Sequence, residues 1–253
     1  MPRHMLASTA LMLGLVVVPE ISSQAANAPA FVAAAVADQH RPKSDTDRDA
    51  DRLPAAMLTD SGIKPGYIVA ELVPAQGYAT RLLSAAVGPK GRIYSLNLAK
   101  FADRIKDQIK PVLNDPAYAN VSVSDQDFTQ LKLPERADVV WTSQNYHDFK
   151  NPGMFYVDTL AMDKAIFAAL KPGGLFVVID HAAAAGSGVR DTGAMHRIDA
   201  AVVKAEAKEA GFVLAGESKA LANPNDPHTG RITGQGGVGD KSDKFFLKFR
   251  KPK

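Results

Sequence analysis

The chain has 253 residues, 46% hydrophobic and 23% charged, a balance that fits a globular protein and excludes a disordered or collagen-like one. Thirty Lys and Arg against 27 Asp and Glu leave a formal net charge of +3, too small an excess for a nucleic-acid groove. There is no cysteine, so disulfides, thiolate catalysis and zinc ribbons are excluded, and any metal needs His, Asp or Glu ligands.

Residues 1–28 read as a secretory signal. Arg3 and His4 precede the apolar run Met5 to Val18, Pro19 breaks it, and Ala26-Asn27-Ala28 sets small residues where a signal peptidase cuts. The run is shorter than the about 20 residues of a membrane span. The expected mature chain starts near Pro29 and is periplasmic or secreted, without stable membrane insertion.

Residues 29–60 read as an N-terminal helical arm. Phe31 to Val36 is Ala/Val-rich, and Pro54 suits the first turn of a helix through Leu58. Asp45, Arg48, Asp49 and Arg52 fall at spacings of three and four and can pair on one helical face. Two readings stay open: a solvated ion-pair face, or an arm that carries Arg to a bound anion.

Residues 61–253 alternate. Strands are expected at Tyr67 to Val73, Gly91 to Asn97, Val121 to Ser124, Ala137 to Thr142 and Leu175 to Ile179. Helices are expected at Tyr78 to Val87, Phe101 to Leu113, Met154 to Leu170 and Asp199 to Ala210, the last with Asp199 as its cap and Gly211 at its end. Phe212 to Ala215 and Phe245 to Phe249 are the last strands. Strand–helix alternation predicts a parallel sheet with helices on both faces. The last two strands have no helix between them and must form an antiparallel pair. The segment Asn223 to Asp240 that joins them is long for a hairpin loop, carries His228 and Arg231, and reads as functional or mobile.

Several local sequences fall where one family has its marks. Gly62-Ile-Lys-Pro-Gly66 precedes strand 1, Val87-Gly-Pro-Lys-Gly91 precedes strand 2, and Leu170-Lys-Pro-Gly-Gly174 precedes strand 5. With the seven-strand layout, these resemble the class I S-adenosylmethionine-dependent methyltransferases, a Rossmann-like α/β fold. More narrowly, Arg48-Asp49, Asn145-Tyr146-His147-Asp148, His196-Arg197-Ile198-Asp199 and Lys248-Phe249-Arg250-Lys251-Pro252 resemble exported bacterial proteins described as predicted methyltransferases. The resemblance covers the whole mature chain. It implies S-adenosylmethionine as cofactor, with Glu71, Pro74, Gly77, Asn97, Asp127 and Asn145 lining its site. The chain departs from the family in two places. The glycine-rich turn reads Glu71-Leu72-Val73-Pro74-Ala75-Gln76-Gly77, which sets Val73 and Ala75 against the amino-acid end of the cofactor, and strand 2 ends in Asn97 where a carboxylate is usual.

Ligands of a parallel sheet sit beyond the carboxyl ends of its strands. Strand 4 ends in Asn145-Tyr146-His147-Asp148 and strand 5 in Asp180-His181, and His196 precedes a helix start. His147, Tyr146, His181, Asp180 and His196 therefore form the candidate catalytic edge: a general base, an orienting carboxylate and a phenol. The same set suits Zn, Fe or Mn. No H-x-x-x-H or H-x-H spacing is present, so no metal is expected. The resemblance implies methyl transfer to a small-molecule acceptor, with His147, aided by Tyr146 or His181, taking the acceptor's proton. Two alternatives stay open: a repurposed lyase, isomerase or hydrolase that uses this edge without a methyl donor, and a non-catalytic periplasmic ligand-binding protein.

Overall fold

The computed structural model describes residues 28–253, so residues 1–27 of the segment read as a secretory signal lie outside the described residues. Seven strands form one sheet: β1 Ile68–Leu72, β2 Arg92–Leu98, β3 Val121–Gln126, β4 Ala137–Ser143, β5 Leu170–His181, β6 Val213–Ser218 and β7 Lys244–Arg250. Their order is β3-β2-β1-β4-β5-β7-β6. The first five are parallel, and β7 runs antiparallel to both β5 and β6. This is the mostly parallel sheet with an antiparallel ending that the alternation and the helix-free ending predict, in the strand layout that the family resemblance implies.

The sheet is apolar on both faces because its central strands are apolar at successive positions, and the period of two sends alternate residues to opposite layers. Leu72, Val140, Phe176 and Val178 enter one layer with Met162, Ile166 and Phe212. Val69, Val139, Trp141 and Val177 enter the other with Val32, Leu58 and Leu82. Among the described residues five helices of seven residues or more cover the layers: α1 Ala30–Val36, α2 Pro54–Ser61, α3 Tyr78–Val87, α4 Thr159–Ala169 and α5 Ala200–Glu209. Asp199 caps α5 by accepting from the Ala201 amide, as its position predicts. Among the described residues no helix is long and apolar enough to cross a membrane.

Three expectations need correction. The first concerns the charges of residues 29–60, a segment that is helical as expected but in pieces: α1 and α2 are separated by the single turns Lys43–Thr46 and Asp49–Arg52, and Leu53, left-handed at φ 45, ends the second just before Pro54 opens α2. The charges of this segment consequently pair across the fold instead of along a helix. Arg41 holds Asp49 through two hydrogen bonds, Arg81 holds Asp45, and both Arg48 and Arg52 hold Asp240. Second, Phe101 to Leu113 is a series of single turns. Pro111 stands in the first turn of Lys110–Leu113 and starts that turn instead of ending a long helix. Third, α4 begins only after Asp158, whose side chain accepts from the Ala161 amide, while β5 extends back through Pro172-Gly173-Gly174.

Candidate active site

The turn after β1 leads into α3. Its backbone is left-handed at three alternate positions, Val73 (φ 52), Ala75 (φ 48) and Gly77 (φ 85). A side chain in that region costs about 1–2 kcal/mol per residue, so this turn keeps a glycine-loop conformation with only one glycine. Gly77 is required twice over, by its φ and because a Cβ there would lie 2.4 Å from Val112 Cγ2. The amides of Val73 and Gly77 are tied to the carbonyls of Leu96 and Pro74. Val73 packs its side chain into the core, while Ala75 is exposed.

Beside this turn lies a cleft of about 300 Å3 at the carboxyl ends of β1 and β4, with Glu71, Pro74, Ala75, Asn145, Arg48 and Arg52 in its wall. Glu71 is buried and accepts hydrogen bonds from Thr80 (2.6 Å) and Ser95 (3.1 Å). Burial raises its pKa to about 7 against the opposing pull of those two hydroxyls. Asn145 donates to the Ser143 carbonyl at 2.8 Å and reaches the carbonyls of Leu72 and Val73, joining the ends of β4 and β1. Of the predicted donor residues, the turn brings together Glu71, Pro74, Gly77 and Asn145. Asn97 and Asp127 do not line this cleft. Asn97 is buried and donates to Asp125, its register partner on β3. Asp127 is exposed, caps the turn Phe128–Gln130 and is bonded to Thr129.

A second cleft, of about 400 Å3, opens beyond β4 and β5 and contains His147, Asp148, His181 and His196. The ring centroids of His147 lie 5.7 Å from His181 and 5.4 Å from His196, so the apolar-to-polar switch at the strand ends does assemble one edge. His147 donates from Nδ1 to Asp180 at 2.8 Å, and its backbone amide donates to the other oxygen of Asp180. Its Nε2 faces Asp148 at 3.2 Å, and His196 Nδ1 meets the same Asp148 oxygen at 3.1 Å. Asp180 is fully buried and is also bonded to the His181 amide, which makes it a positioning residue behind the cleft. His181 Nδ1 is bonded to Ser242 at 2.6 Å, and among the described residues no hydrogen bond engages its Nε2.

Two role assignments change. Tyr146 opens the single turn Tyr146–Phe149, where successive residues point about 100° apart, and its side chain leaves the cleft for the core. Its hydroxyl lies 3.0 Å from Asp163 and 2.9 Å from Glu206, and no part of it is exposed. His147 is not a neutral base in this arrangement. Burial opposes its charge, but Asp180 and Asp148 outweigh burial and push its pKa up to about 10. His181 is the reverse case. Burial, then the charges of His147, Lys244, Arg197 and Arg52, hold it well below the ordinary imidazole range, so it is neutral.

Sequence reasoning named Arg48 and Arg52 only as charges of the arm, one reading being that it carries Arg to a bound anion, and gave Gln144 no role; these residues join the two clefts. Arg48 and Gln144 line both. Arg52 stacks 4.5 Å over the Tyr78 ring and donates to Asp240 and Gln144. Gln144, at φ 60, and His196, at φ 57, are further left-handed non-glycines at this edge. The segment after β6 forms one wall through Ile232, Thr233, Gly239 and Asp240, while His228 turns back to Asp243 and neither it nor Arg231 lines the cleft. Only the Arg48-Asp49 pair and the acid Asp148, both visible in the sequence, could have pointed here.

The chain is similar in structure to a S-adenosylmethionine-dependent methyltransferase from Aquifex aeolicus (TM-score 0.57, 17% identity, 83% of this chain and 98% of that one). It is similar to a putative methyltransferase of Haloferax volcanii bound to its Trm112 activator (0.57, 18%, 88% and 98%), and to the [4+2]-cyclase SpnF (0.55, 17%, 80% and 81%). No protein-family model and no curated protein sequence matches it. At these identities the likeness establishes the methyltransferase fold.

Proposed function

We propose that the protein is a S-adenosylmethionine-dependent methyltransferase that acts on a small-molecule acceptor outside the cytoplasm. The observation that carries this reading is the turn Val73–Gly77. Two non-glycine residues hold left-handed backbone there, and such strain persists where a site depends on the shape. The turn fits the group: it leaves an open cleft at the strand ends, where an open α/β sheet takes its ligand. Glu71, Pro74, Asn145 and the turn backbone would hold the donor, and Arg48 and Arg52 offer cations to its carboxylate. Bound there, the donor supplies an electrophilic methyl group on a sulfonium. Because Arg48 and Gln144 belong to both clefts, donor and acceptor sites are contiguous, and positioning provides much of the rate gain.

His181 is the group placed to take the acceptor's proton, with its Nδ1 held by Ser242 and its Nε2 unengaged among the described residues. Asp180 fixes His147 in orientation through Nδ1 and turns its Nε2 toward Asp148.

A second reading keeps the fold and omits the donor, giving a lyase, isomerase or hydrolase, or a non-catalytic binder. It is favoured by Arg52, which reaches into the donor cleft and is held there by Tyr78, Gln144 and Asp240, and by the cyclase among the similar folds. Thermal shift with S-adenosylmethionine and its demethylated product separates the two. The first reading expects both ligands to raise the melting temperature, by about 2.7 kcal/mol of stabilisation at a hundredfold excess over Kd. No shift from either ligand overturns it.

A further inference from the structure

We propose that His147, Asp148 and His196 form a three-ligand site for one divalent transition-metal ion, with the remaining coordination positions open to the acceptor cleft. The inference stands on that cleft alone and holds whether or not the donor binds. The ligand atoms lie within 4.8 Å of one another. Asp148 Oδ1 is 3.2 Å from His147 Nε2 and 3.1 Å from His196 Nδ1. Two ligands about 2.1 Å from a metal stand about 3.0 Å apart at a right angle and about 3.4 Å apart at a tetrahedral one, so both contacts already have ligand spacing.

Three further observations favour an ion over a plain hydrogen-bond cluster. Asp180 receives the other nitrogen of His147 at 2.8 Å, the carboxylate–histidine pairing that orients metal-bound imidazoles. Among the described residues Asp148 has no Lys or Arg within ion-pair distance, only the two imidazoles. His196 is held in left-handed backbone at φ 57, and the next residue, Arg197, is fully buried and anchored to Asp226, the Ala182 carbonyl and the Gly230 carbonyl. That anchor keeps the strained turn, and with it the ring, facing Asp148. The spacing motifs of helical metal sites are absent because two ligands are neighbours in the turn Tyr146–Phe149 and the third comes from the loop before α5.

Two imidazoles and one carboxylate suit Zn, Fe, Co or Mn, with open positions for water or substrate. An ion there would act as a Lewis acid on an acceptor oxygen and lower the pKa of a bound hydroxyl.

The test is titration of the untagged mature protein, stripped with a chelator, with Co2+ under visible spectroscopy and then with Zn2+ in competition. One equivalent of Co2+ should bind with d–d bands of nitrogen and oxygen coordination, and Zn2+ should displace it. His196→Ala and Asp148→Asn should each abolish stoichiometric binding, and Asp180→Asn should weaken it about 10–100-fold. His228→Ala, outside the cleft, should leave it intact. Circular dichroism and melting curves establish that each variant folds. Substoichiometric uptake by the wild type at about 100 µM metal, or equal uptake by folded His196→Ala and Asp148→Asn, overturns the proposal.

Discussion

Replacing Glu71 by Gln should stabilise the protein progressively as pH rises from about 4.5 to about 7 and do nothing at lower pH. The Glu71 carboxyl is buried, with one oxygen accepting from both Thr80 and Ser95, and a Gln carbonyl can accept both bonds. Burial raises its pKa from 4.5 to about 7. The unfolded chain therefore releases this proton near the lower value while the folded chain keeps it until the upper one. The contribution to stability is whole below about pH 4.5, declines by about 1.4 kcal/mol per unit of pH, and is lost once pH passes about 7. Over that window the loss is about 3 kcal/mol for the wild type and absent in the variant. Urea denaturation of both proteins at several values between about pH 5 and pH 8 measures it, and the difference between the two cancels every other titrating group. A difference in stability that does not change with pH would refute the reasoning, because it would mean that Glu71 does not hold its proton in the fold.

Clearing the turn should tighten donor binding: Ala75→Gly removes an exposed side chain from the wall of the donor cleft, and calorimetry with S-adenosylmethionine should show a lower Kd. An unchanged Kd would place the donor elsewhere. Asp240→Ala should cost about 1–3 kcal/mol of stability, because it leaves Arg48 and Arg52 without their shared partner, and limited proteolysis should then cut between Asp38 and Pro54 faster than in the wild type. Unchanged cleavage would mean that the pairing does not hold the arm. Protein purified from its native host should begin near Pro29 by N-terminal sequencing, and an intact Met1 would contradict export.

The sheet was legible because each strand announces itself by composition and the crossovers through α3, α4 and α5 by a helical period. The strand ends were legible too: Thr142 to Asp148 and Ile179 to His181 turn from apolar to polar at one end of the sheet, and that places His147 and His181 together without any family knowledge. Tyr146 was not legible, since one residue's rotation in a four-residue helical turn decides between cleft and core. The arm was not legible either. Its spacings of three and four suit pairing along a helix, but Arg52 finds Asp240, 188 positions away, and no local pattern encodes such a contact. The left-handed turn was hidden for a simpler reason: Val73 and Ala75 carry no compositional mark of positive φ, which normally shows itself as glycine.

Calorimetric titration of the folded mature protein with S-adenosylmethionine and its demethylated product tests the account most directly, because the proposed function rests on the cleft beside Val73–Gly77. The account predicts one saturable site per chain for each ligand, with Kd at or below about 100 µM, or about 5.5 kcal/mol. No measurable heat from either ligand at about 1 mM, in protein whose melting curve is cooperative, would contradict it. The fold would then belong to a methyltransferase architecture that has lost its donor.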